Sequence, residues 1–324
     1  VLESRTITLT NWQGTRPVTI SKPTTNIAEA VDGAELIVIP LPSTTHEDLS
    51  KQIVPYLQDG QVVYIPPATF GSYIFAKALQ ESGNRAQVTF AETGTLPYLA
   101  RKQGVHHIRI SVYATRLPTG VFPAKNSERA LQVISKAYPS VEPLKDVLDG
   151  ALMNAGPIIH PPLIIMNAGP IEHFDFWDIH NEGTQSSIRR VTDVLDNERI
   201  QLREALGYGP PHFPLADHYD DGSEEWMYGN SSHEKLTDSG DWREDINLMT
   251  HRYMQEDTAL GLSFLLSLAN WVGLDITVTR GFLAIASGIV GEDLYVSGRN
   301  LESLGLQGMS RDELALLLRE GFGP

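Results

Sequence analysis

The stretch ELIVIPL, residues Glu35–Leu41, is apolar at every position after the first. A strand that is apolar on both faces is typical of a parallel sheet covered by helices on each side, whereas a half-exposed strand alternates apolar and polar residues. Other runs of strand length lie on either side of this one. They are predicted strands at Arg5–Thr10, Gln61–Ile65, Gln87–Ala91 and His107–Tyr113.

Amphipathic segments separate these runs. Helices are predicted at His46–Leu57, Ser72–Glu81 and Ser127–Tyr138. Gly60 follows the first of them and is free to adopt the left-handed conformation that ends many helices. This alternation of strands and helices predicts a doubly wound α/β domain over residues 1–149.

The pattern changes near Asp149–Gly150, after which the chain has helical periodicity. One long helix with an apolar stripe ends at Gly207, and a second is predicted at about Tyr253–Trp271. SRDE at Ser310–Glu313 is a capping box that opens the last helix, and GRNLESLGL before it is a short connector. Residues 150–324 are therefore predicted to form an all-α bundle. The stripe consists of Ile188, Val191, Leu195, Leu202 and Leu206.

A polar, acidic and aromatic stretch at His212–Trp242 interrupts these helices. Loops of this length are usually functional or disordered, and the aromatic content favours an ordered lid. Its Trp226, Tyr228 and Trp242 are candidates to bound a substrate pocket. Packing of the same side chains against the bundle is the alternative.

Composition excludes several classes of function. The 324-residue chain has no cysteine, which rules out disulfides, thiolate zinc sites, iron–sulfur clusters and a cysteine nucleophile, and suits the cytoplasm. Its formal net charge of −15 leaves no basic stripe for nucleic acid, so an anionic substrate would need a local cationic pocket. No apolar run approaches the roughly 18 residues of a membrane span.

The glycine-rich turn of a dinucleotide-binding domain is missing from the sequence. Such a domain begins with a strand, a G-x-G-x-x-G turn that holds the pyrophosphate, and a helix. No such pattern follows an apolar strand in this chain, which begins at Val1 rather than with methionine. Either the fold is of another type, or the chain starts after this turn. The second explanation predicts an incomplete Rossmann-type, doubly wound α/β domain followed by the helical bundle.

His160 lies beside two prolines in MNAGPIIHPPLIIMNAGPIEH, residues Met153–His173. Pro161 and Pro162 supply no N–H, and their rings clash with the preceding turn, so we expect a kink or break just beyond His160. Backbone left open in an apolar stretch is typical of a pocket lining. Two interpretations stay open: a catalytic histidine, or a buried histidine held by structural hydrogen bonds.

A second cluster lies in NLMTHRYMQEDTALGL, where Arg252, Tyr253, Glu256 and Asp257 stand at the mouth of an apolar helix. Arg252 and Asp257 are five positions apart, so they are not expected to share a face of an α-helix. We expect Arg252 just before the helix and Asp257 in its first turns. An acidic helix start beside a surface arginine is the alternative.

A metal site and a serine hydrolase are weaker interpretations. No H-E-x-x-H or other close histidine pair occurs, and there is no G-x-S-x-G elbow. We therefore expect no metal. The scattered candidate ligands are His173, Asp175, Asp178, His180, His212, Asp217, His218 and His233.

Together these segments resemble the opine dehydrogenase family, which includes octopine, nopaline and N-carboxyalkyl amino acid dehydrogenases. The resemblance rests on NAGPIIHPPLIIMNA, FDFWDIHNEGTQSSIRRVTDVLDNERIQLREALG, INLMTHRYMQEDTALGL and GRNLESLGL, which occur in family order and cover nearly all of Asn154–Leu306. The first half resembles the later part of that family's nucleotide domain through AVDGAELIVIPLPSTTHEDL, GQVVYIPPATFG and AETGTLPYLAR.

The resemblance implies reductive condensation of an amino acid with a 2-oxo acid, with NAD or NADP as the cofactor. It implies that His160 is the catalytic acid–base and that Asp257 is its partner. Arg252 would hold the 2-oxo acid carboxylate, with Tyr253 beside it in the substrate site. The choice of dinucleotide, amino acid and 2-oxo acid stays open.

Cofactor contacts are expected in the loops at the carboxyl ends of the strands, although plain strand-to-helix turns are the alternative. The resemblance also implies that the first two strands and their helix are absent, so that ELIVIPL exposes an apolar edge. We therefore expect this chain to be part of a longer protein and to bind dinucleotide poorly or not at all. The expected cofactor-binding residues are Pro40, Leu41, Pro42, Pro67, Ala68, Thr69, Glu92 and Thr93.

Two other functions stay open. A dehydrogenase of the same two-domain build could oxidise a hydroxy acid without any amine, and a non-catalytic ligand-binding module would fit the missing turn. In each case the expected partners are small molecules, without nucleic acid or membrane. A homodimer is left open.

Overall fold

The computed structural model describes residues 3–220, 222–229 and 245–323. Within these ranges the first half of the chain contains two β-sheets, and the second half is almost entirely helical. The strands are β1 (Thr6–Asn11), β2 (Gly14–Thr19), β3 (Leu36–Val38), β4 (Val62–Ile65), β5 (Thr89–Thr93), β6 (Tyr98–Gly104), β7 (His107–Tyr113), β8 (Leu117–Phe122) and β9 (Val141–Pro143). The helices among them are α1 (Ile27–Val31), α2 (His46–Ile53), α3 (Gly71–Ser82), α4 (Ser127–Ser135) and α5 (Val147–Ala151), with 3-10 turns at Ser43–Thr45, Val54–Tyr56 and Ala124–Asn126.

The central sheet has the strand order β3–β4–β5–β8–β9. β3, β4 and β5 run parallel and alternate with helices, which confirms the predicted doubly wound arrangement. All four residues of β4 are fully buried, as expected for a strand covered on both faces. β3, from the ELIVIPL segment, is an edge strand. β8 is antiparallel to β5, so the sheet is mixed.

Two of the predicted strands lie in a second sheet. β1 and β7 were predicted at Arg5–Thr10 and His107–Tyr113, but they pair in the order β2–β1–β7–β6 and do not extend the central sheet. β7 alternates Ile108, Ile110 and Val112 with polar residues, a pattern typical of a sheet with one face in solvent. The doubly wound sheet is therefore smaller than the strand pattern suggested.

The second half forms the predicted bundle. The apolar stripe of the long helix faces the core through the buried Ile188, Leu195 and Leu202, and Gly207 beyond it has a left-handed φ of 82°. The boundary proposed between residues 149 and 150 falls inside α5. The helices are α6 (Gly156–Ile165), α7 (Ala168–His173), α8 (Ser186–Ala205), a 3-10 turn (Leu215–Tyr219), a π-helix (Tyr253–Leu262) that continues into α9 (Ser263–Val272), α10 (Thr277–Val290), α11 (Leu294–Ser297), α12 (Leu301–Leu304) and α13 (Arg311–Glu320).

Helix ends follow the local signals. The capping box predicted at Ser310 is present, with the Ser310 side chain bonded to the Glu313 amide. The GRNLESLGL segment is more than a connector, because Asn300 and Ser303 form a second capping box that opens α12. In the described ranges, no helix is long and apolar enough to cross a membrane.

Candidate active site

A cavity of about 330 Å³ opens where the two halves of the chain meet. On one side it is lined by the loops that follow the carboxyl ends of β3, β4 and β5, which is where doubly wound domains bind their ligands. On the other side it is lined by α6 and the π-helix. The first group contributes Pro40, Leu41, Pro42, Pro66, Pro67, Gly94, Thr95 and Leu96, and the second contributes Ile159, His160, Arg252, Glu256 and Asp257.

The two sequence clusters meet at this cavity. Nδ1 of His160 on α6 lies 2.7 Å from Oδ2 of Asp257 on the π-helix, although the residues are 97 positions apart. Their side chains are 15% and 6% exposed. This contact fixes the orientation of the imidazole and lets Nδ1 share a proton with the carboxylate.

Of the kink or break predicted beyond His160, the break does not occur, because helix α6 continues through Pro161 and Pro162. The two prolines remove the N–H donors for the carbonyls of Pro157 and Ile158, and a proline inside a helix costs about 3 kcal/mol. Seven of the ten residues of α6 are buried. Tertiary packing on this scale offsets the local cost, because most helical stability in proteins comes from packing.

The segment that carries Asp257 is a π-helix rather than the start of an α-helix. A π-helix bonds residues five positions apart, so Arg252 and Asp257 lie on the same side, and both line the cavity. The prediction that they could not share a face was wrong because it assumed α-helical geometry. Arg252 does immediately precede the helix, as expected. Single π-turns occur often at functional sites.

Tyr253 lies between the charged groups of the site. Its ring stacks on the His160 imidazole, with ring centroids 3.7 Å apart and planes 15° apart. The Arg252 guanidinium carbon is 4.6 Å from the centroid of the same ring. Tyr253 is 1% exposed. A buried ring in contact with both groups fixes the imidazole relative to the guanidinium.

The carboxylates of the site are held in a poorly solvated environment. Burial raises the pKa of Asp257 to about 7, against the opposing effects of Arg252 and His251. Burial also raises the pKa of Glu256, and the neighbouring Asp257 adds to this effect. Two adjacent carboxyl groups with raised pKa values in a cleft are typical of a functional site.

Gly156 allows the contact between α6 and Asp257. A Cβ at this position would lie 2.2 Å from Oδ1 of Asp257 and 3.1 Å from its Cγ. Across the same interface, a Cβ at Gly261 would lie 2.4 Å from Cγ of Pro157. The two glycines therefore bring α6 close enough to the π-helix for His160 to reach Asp257.

We expect Gly156→Ala to lower turnover by about 10- to 100-fold, because the added methyl group displaces the Asp257 carboxylate from His160. Gly169→Ala on α7 is the matched control, since a Cβ there has no neighbour within 4 Å. Initial rates and thermal unfolding of both variants check this prediction. Equal rates for the two alanine variants would contradict it.

The predicted cofactor residues divide into two groups. Pro40, Leu41, Pro42 and Pro67 line the cavity, whereas Ala68, Thr69, Glu92 and Thr93 are buried behind it. The second group makes structural hydrogen bonds: the Glu92 carboxylate accepts from the amides of Phe70 and Ser72 at the start of α3, and Oγ1 of Thr93 donates to the carbonyl of Pro118.

The predicted lid contributes to the cavity through Trp226 and Tyr228. Nε1 of Trp226 donates to the carbonyl of Phe213 at 3.1 Å, and the Tyr228 hydroxyl bonds Thr95. The segment is also tied to the first half, because the amide of Thr115 donates to the carbonyl of Met227. Trp242 lies outside the described residues.

Several cavity residues were not predicted as ligand-binding residues. They have no shared sequence motif, and His180 and His218 were considered only as metal ligands. No group of three or more His, Asp or Glu residues in the described ranges is arranged to hold a metal ion, and His233 lies outside these ranges. The additional lining residues are Leu99, Arg101, Asn154, Ala155, Gly156, His180, His218 and Tyr219.

An α/β domain, a helical bundle and a cavity between them are the arrangement predicted from the sequence, and comparisons with known proteins support an NAD(P)-dependent oxidoreductase. Residues 143–290 match the family described as NAD/NADP octopine/nopaline dehydrogenase, alpha-helical domain. Residues 143–290 are therefore similar to the helical domain of the opine dehydrogenases.

Individual relatives match over most of the chain. An opine dehydrogenase of Arthrobacter sp. (strain 1C) is 28% identical over 294 residues, which are 89% of this chain and 79% of that protein. Vitopine synthase of Allorhizobium ampelinum is 24% identical over 87% of this chain and 78% of its own length. A structure of octopine dehydrogenase with NADH and pyruvate superposes with a TM-score of 0.69 at 16% identity, covering 100% of this chain and 88% of the other.

Proposed function

We propose that the protein catalyses the NAD(P)H-dependent reductive condensation of an amino acid with a 2-oxo acid. The observation that carries the proposal is the 2.7 Å contact between His160 and Asp257 inside a cavity that also contains Arg252. The relationship to opine dehydrogenases supports the same reaction. Octopine dehydrogenase has been solved with NADH and pyruvate and yersinopine dehydrogenase with NADP⁺, which supports either dinucleotide as the cofactor.

The cavity fits the nicotinamide end of a dinucleotide. Pro40, Pro42, Pro66 and Pro67 supply flat apolar walls at the carboxyl ends of β3 and β4, where such rings bind. No G-x-G-x-x-G turn for the pyrophosphate occurs in the sequence, so we assign the nicotinamide end alone. When bound, the reduced cofactor supplies hydride to the imine carbon.

The residues of this chain provide the proton chemistry. Arg252 binds the 2-oxo acid carboxylate through two parallel N–H donors. His160 donates a proton to the carbonyl oxygen, which leaves as water when the amine forms the imine. Asp257 accepts the Nδ1–H of His160, selects its tautomer and stabilises the imidazolium form.

Dependence on the amine tests the proposal. We expect the protein to oxidise NADH or NADPH with a 2-oxo acid only when an amino acid is also present. The assay compares pyruvate and 2-oxoglutarate, each with and without a panel of amino acids. Consumption without an amino acid would instead favour a hydroxy-acid dehydrogenase, and the fold permits this chemistry, since D-mandelate dehydrogenase superposes with a TM-score of 0.53.

Arg252→Lys is expected to raise KM for the 2-oxo acid by about tenfold or more with a smaller effect on kcat, because a lysine cannot provide the bidentate fork. Steady-state kinetics with the 2-oxo acid varied at saturating amino acid check this. The control is Arg280→Lys on α10, whose side chain is 52% exposed. An unchanged KM in the Arg252 variant would remove this residue from the carboxylate site.

A further inference from the structure

The loop between β3 and α2 is held by side chains from the helical half of the chain. The amide of Ser43 donates to Oε1 of Glu256 at 2.8 Å. The carbonyl of Ser43 accepts from Nη2 of Arg299 at 3.0 Å. These bonds join residues 213 and 256 positions apart, so the position of this loop is determined by the helical half.

Arg299 also holds the loop that follows β4. Its Nη1 donates to the carbonyls of Ala68 and Thr69 at 2.9 and 2.6 Å. One guanidinium thus joins the two loops whose prolines line the cavity. Arg299 is 5% exposed, and burial lowers its pKa to about 10 although the nearby carboxylates of Glu92, Glu47 and Glu256 oppose this effect. The fork geometry of arginine suits three carbonyl acceptors, whereas lysine has no such fork.

Backbone conformation shows that the second loop needs this support. Thr69 and Phe70 have φ values of 48° and 66°, in the left-handed region that non-glycine residues rarely adopt. Such conformations persist where surrounding bonds hold them. Arg299 binds the Thr69 carbonyl, and Glu92 binds the Phe70 amide at 2.7 Å.

The π-helix links the Ser43 loop to the proposed acid–base pair. Glu256, which binds the Ser43 amide, is adjacent to Asp257, which binds His160. A third contact holds the loop from its own side, because Nε2 of His46 donates to the carbonyl of Leu41 at 3.1 Å. The π-helix therefore determines the position of the loop between β3 and α2 relative to the His160 imidazole.

We propose that Glu256 and Arg299 are positioning residues that fix the loops at residues 40–43 and 67–70 for dinucleotide binding, so that cofactor affinity depends on the helical half. This inference rests on the proposed function, because it takes the cavity to be the dinucleotide site. Neither residue needs to touch the reacting atoms. Glu256 and Arg299 hold the two loops in place before the cofactor binds, so less conformational entropy is lost on binding.

Arg203 provides a matched control for Arg299. It is 0% exposed, pairs with Asp149 at 2.6 Å and donates to the carbonyl of Pro211, but it does not line the cavity. A purely structural role for Arg299 predicts that lysine at either position has the same consequences. The positioning role predicts that only the Arg299 variant changes cofactor affinity.

The experiment measures Kd for NADH and NADPH by fluorescence titration, together with thermal unfolding, in the protein and its variants. We expect Arg299→Lys and Glu256→Leu to raise Kd for the preferred dinucleotide by about tenfold or more. Glu256→Gln keeps an acceptor for the Ser43 amide and is expected within about threefold of wild type. Arg203→Lys is expected to lower the unfolding temperature without changing Kd.

Hydrogen exchange supplies an independent measurement that needs no cofactor. Amides in residues 41–46 and 68–72 are expected to exchange faster in the Arg299 and Glu256→Leu variants, and at the wild-type rate in Arg203→Lys. Equal Kd values for Arg299→Lys and wild type, equal losses in the two lysine variants, or a wild-type protein that binds neither dinucleotide would overturn the inference. Failure of the proposed function alone gives a different result. The variants then differ in Kd for the dinucleotide as expected, but no condensation product forms.

Discussion

Replacing His160 with alanine is expected to lower kcat for the condensation by about two to four powers of ten, the usual contribution of a positioned acid–base group. KM for the 2-oxo acid should change little, since Arg252 keeps its place at the cavity. Initial rates of NAD(P)H oxidation at saturating substrates measure the effect. His173→Ala is the control, because His173 is exposed on α7 and does not line the cavity. A loss below about threefold in the His160 variant would mean that another group transfers the proton.

Asp257→Asn is expected to lower kcat by about three to four powers of ten, by analogy with other histidine–carboxylate pairs. The amide can offer its NH₂ group to Nδ1, which selects the wrong tautomer, and it cannot stabilise the imidazolium. Steady-state rates at saturating substrate measure this loss. Activity within tenfold of wild type would show that the 2.7 Å contact has no part in the reaction.

Thermal unfolding of the Asp257→Asn variant distinguishes a loss of catalysis from a loss of folding. Burial raises the pKa of Asp257 from 3.8 to about 7, so the folded state favours the protonated form. The associated stabilisation is complete below about pH 4 and is lost as the pH rises through about 7. At pH 8 the wild type therefore keeps a costly buried charge, and the asparagine variant should unfold at no lower temperature. A large drop in its unfolding temperature would assign the activity loss to misfolding.

The fold was predictable where local pattern decides it. Consecutive apolar residues identified β3 and β4, and the capping box identified the last helix. β8 was missed because Pro118 and Gly120 are unfavourable in strands. Gly120 has a tertiary reason that the sequence does not display: a Cβ there would lie 2.1 Å from the carbonyl oxygen of Asp146.

The site was predictable only in part. From the residues alone, His160 and Asp257 could each have had a purely structural role. Local spacing does not show that two residues 97 positions apart, on different helices, will meet. The resemblance to the opine dehydrogenase family implied that the two residues act as a pair. The π-helix had no sequence signal that we recognised, and the α-helical assumption separated Arg252 from Asp257. Arg299 lay in a segment treated as a connector, and its partners are more than 200 positions away.

Product analysis tests the central claim most directly. The protein is incubated with a 2-oxo acid, an amino acid and reduced dinucleotide that is doubly deuterated at C4, and the products are analysed by mass spectrometry. The account predicts a secondary amine that joins the two acids and carries one deuterium on the former carbonyl carbon. A deuterated 2-hydroxy acid beside unreacted amino acid would contradict it.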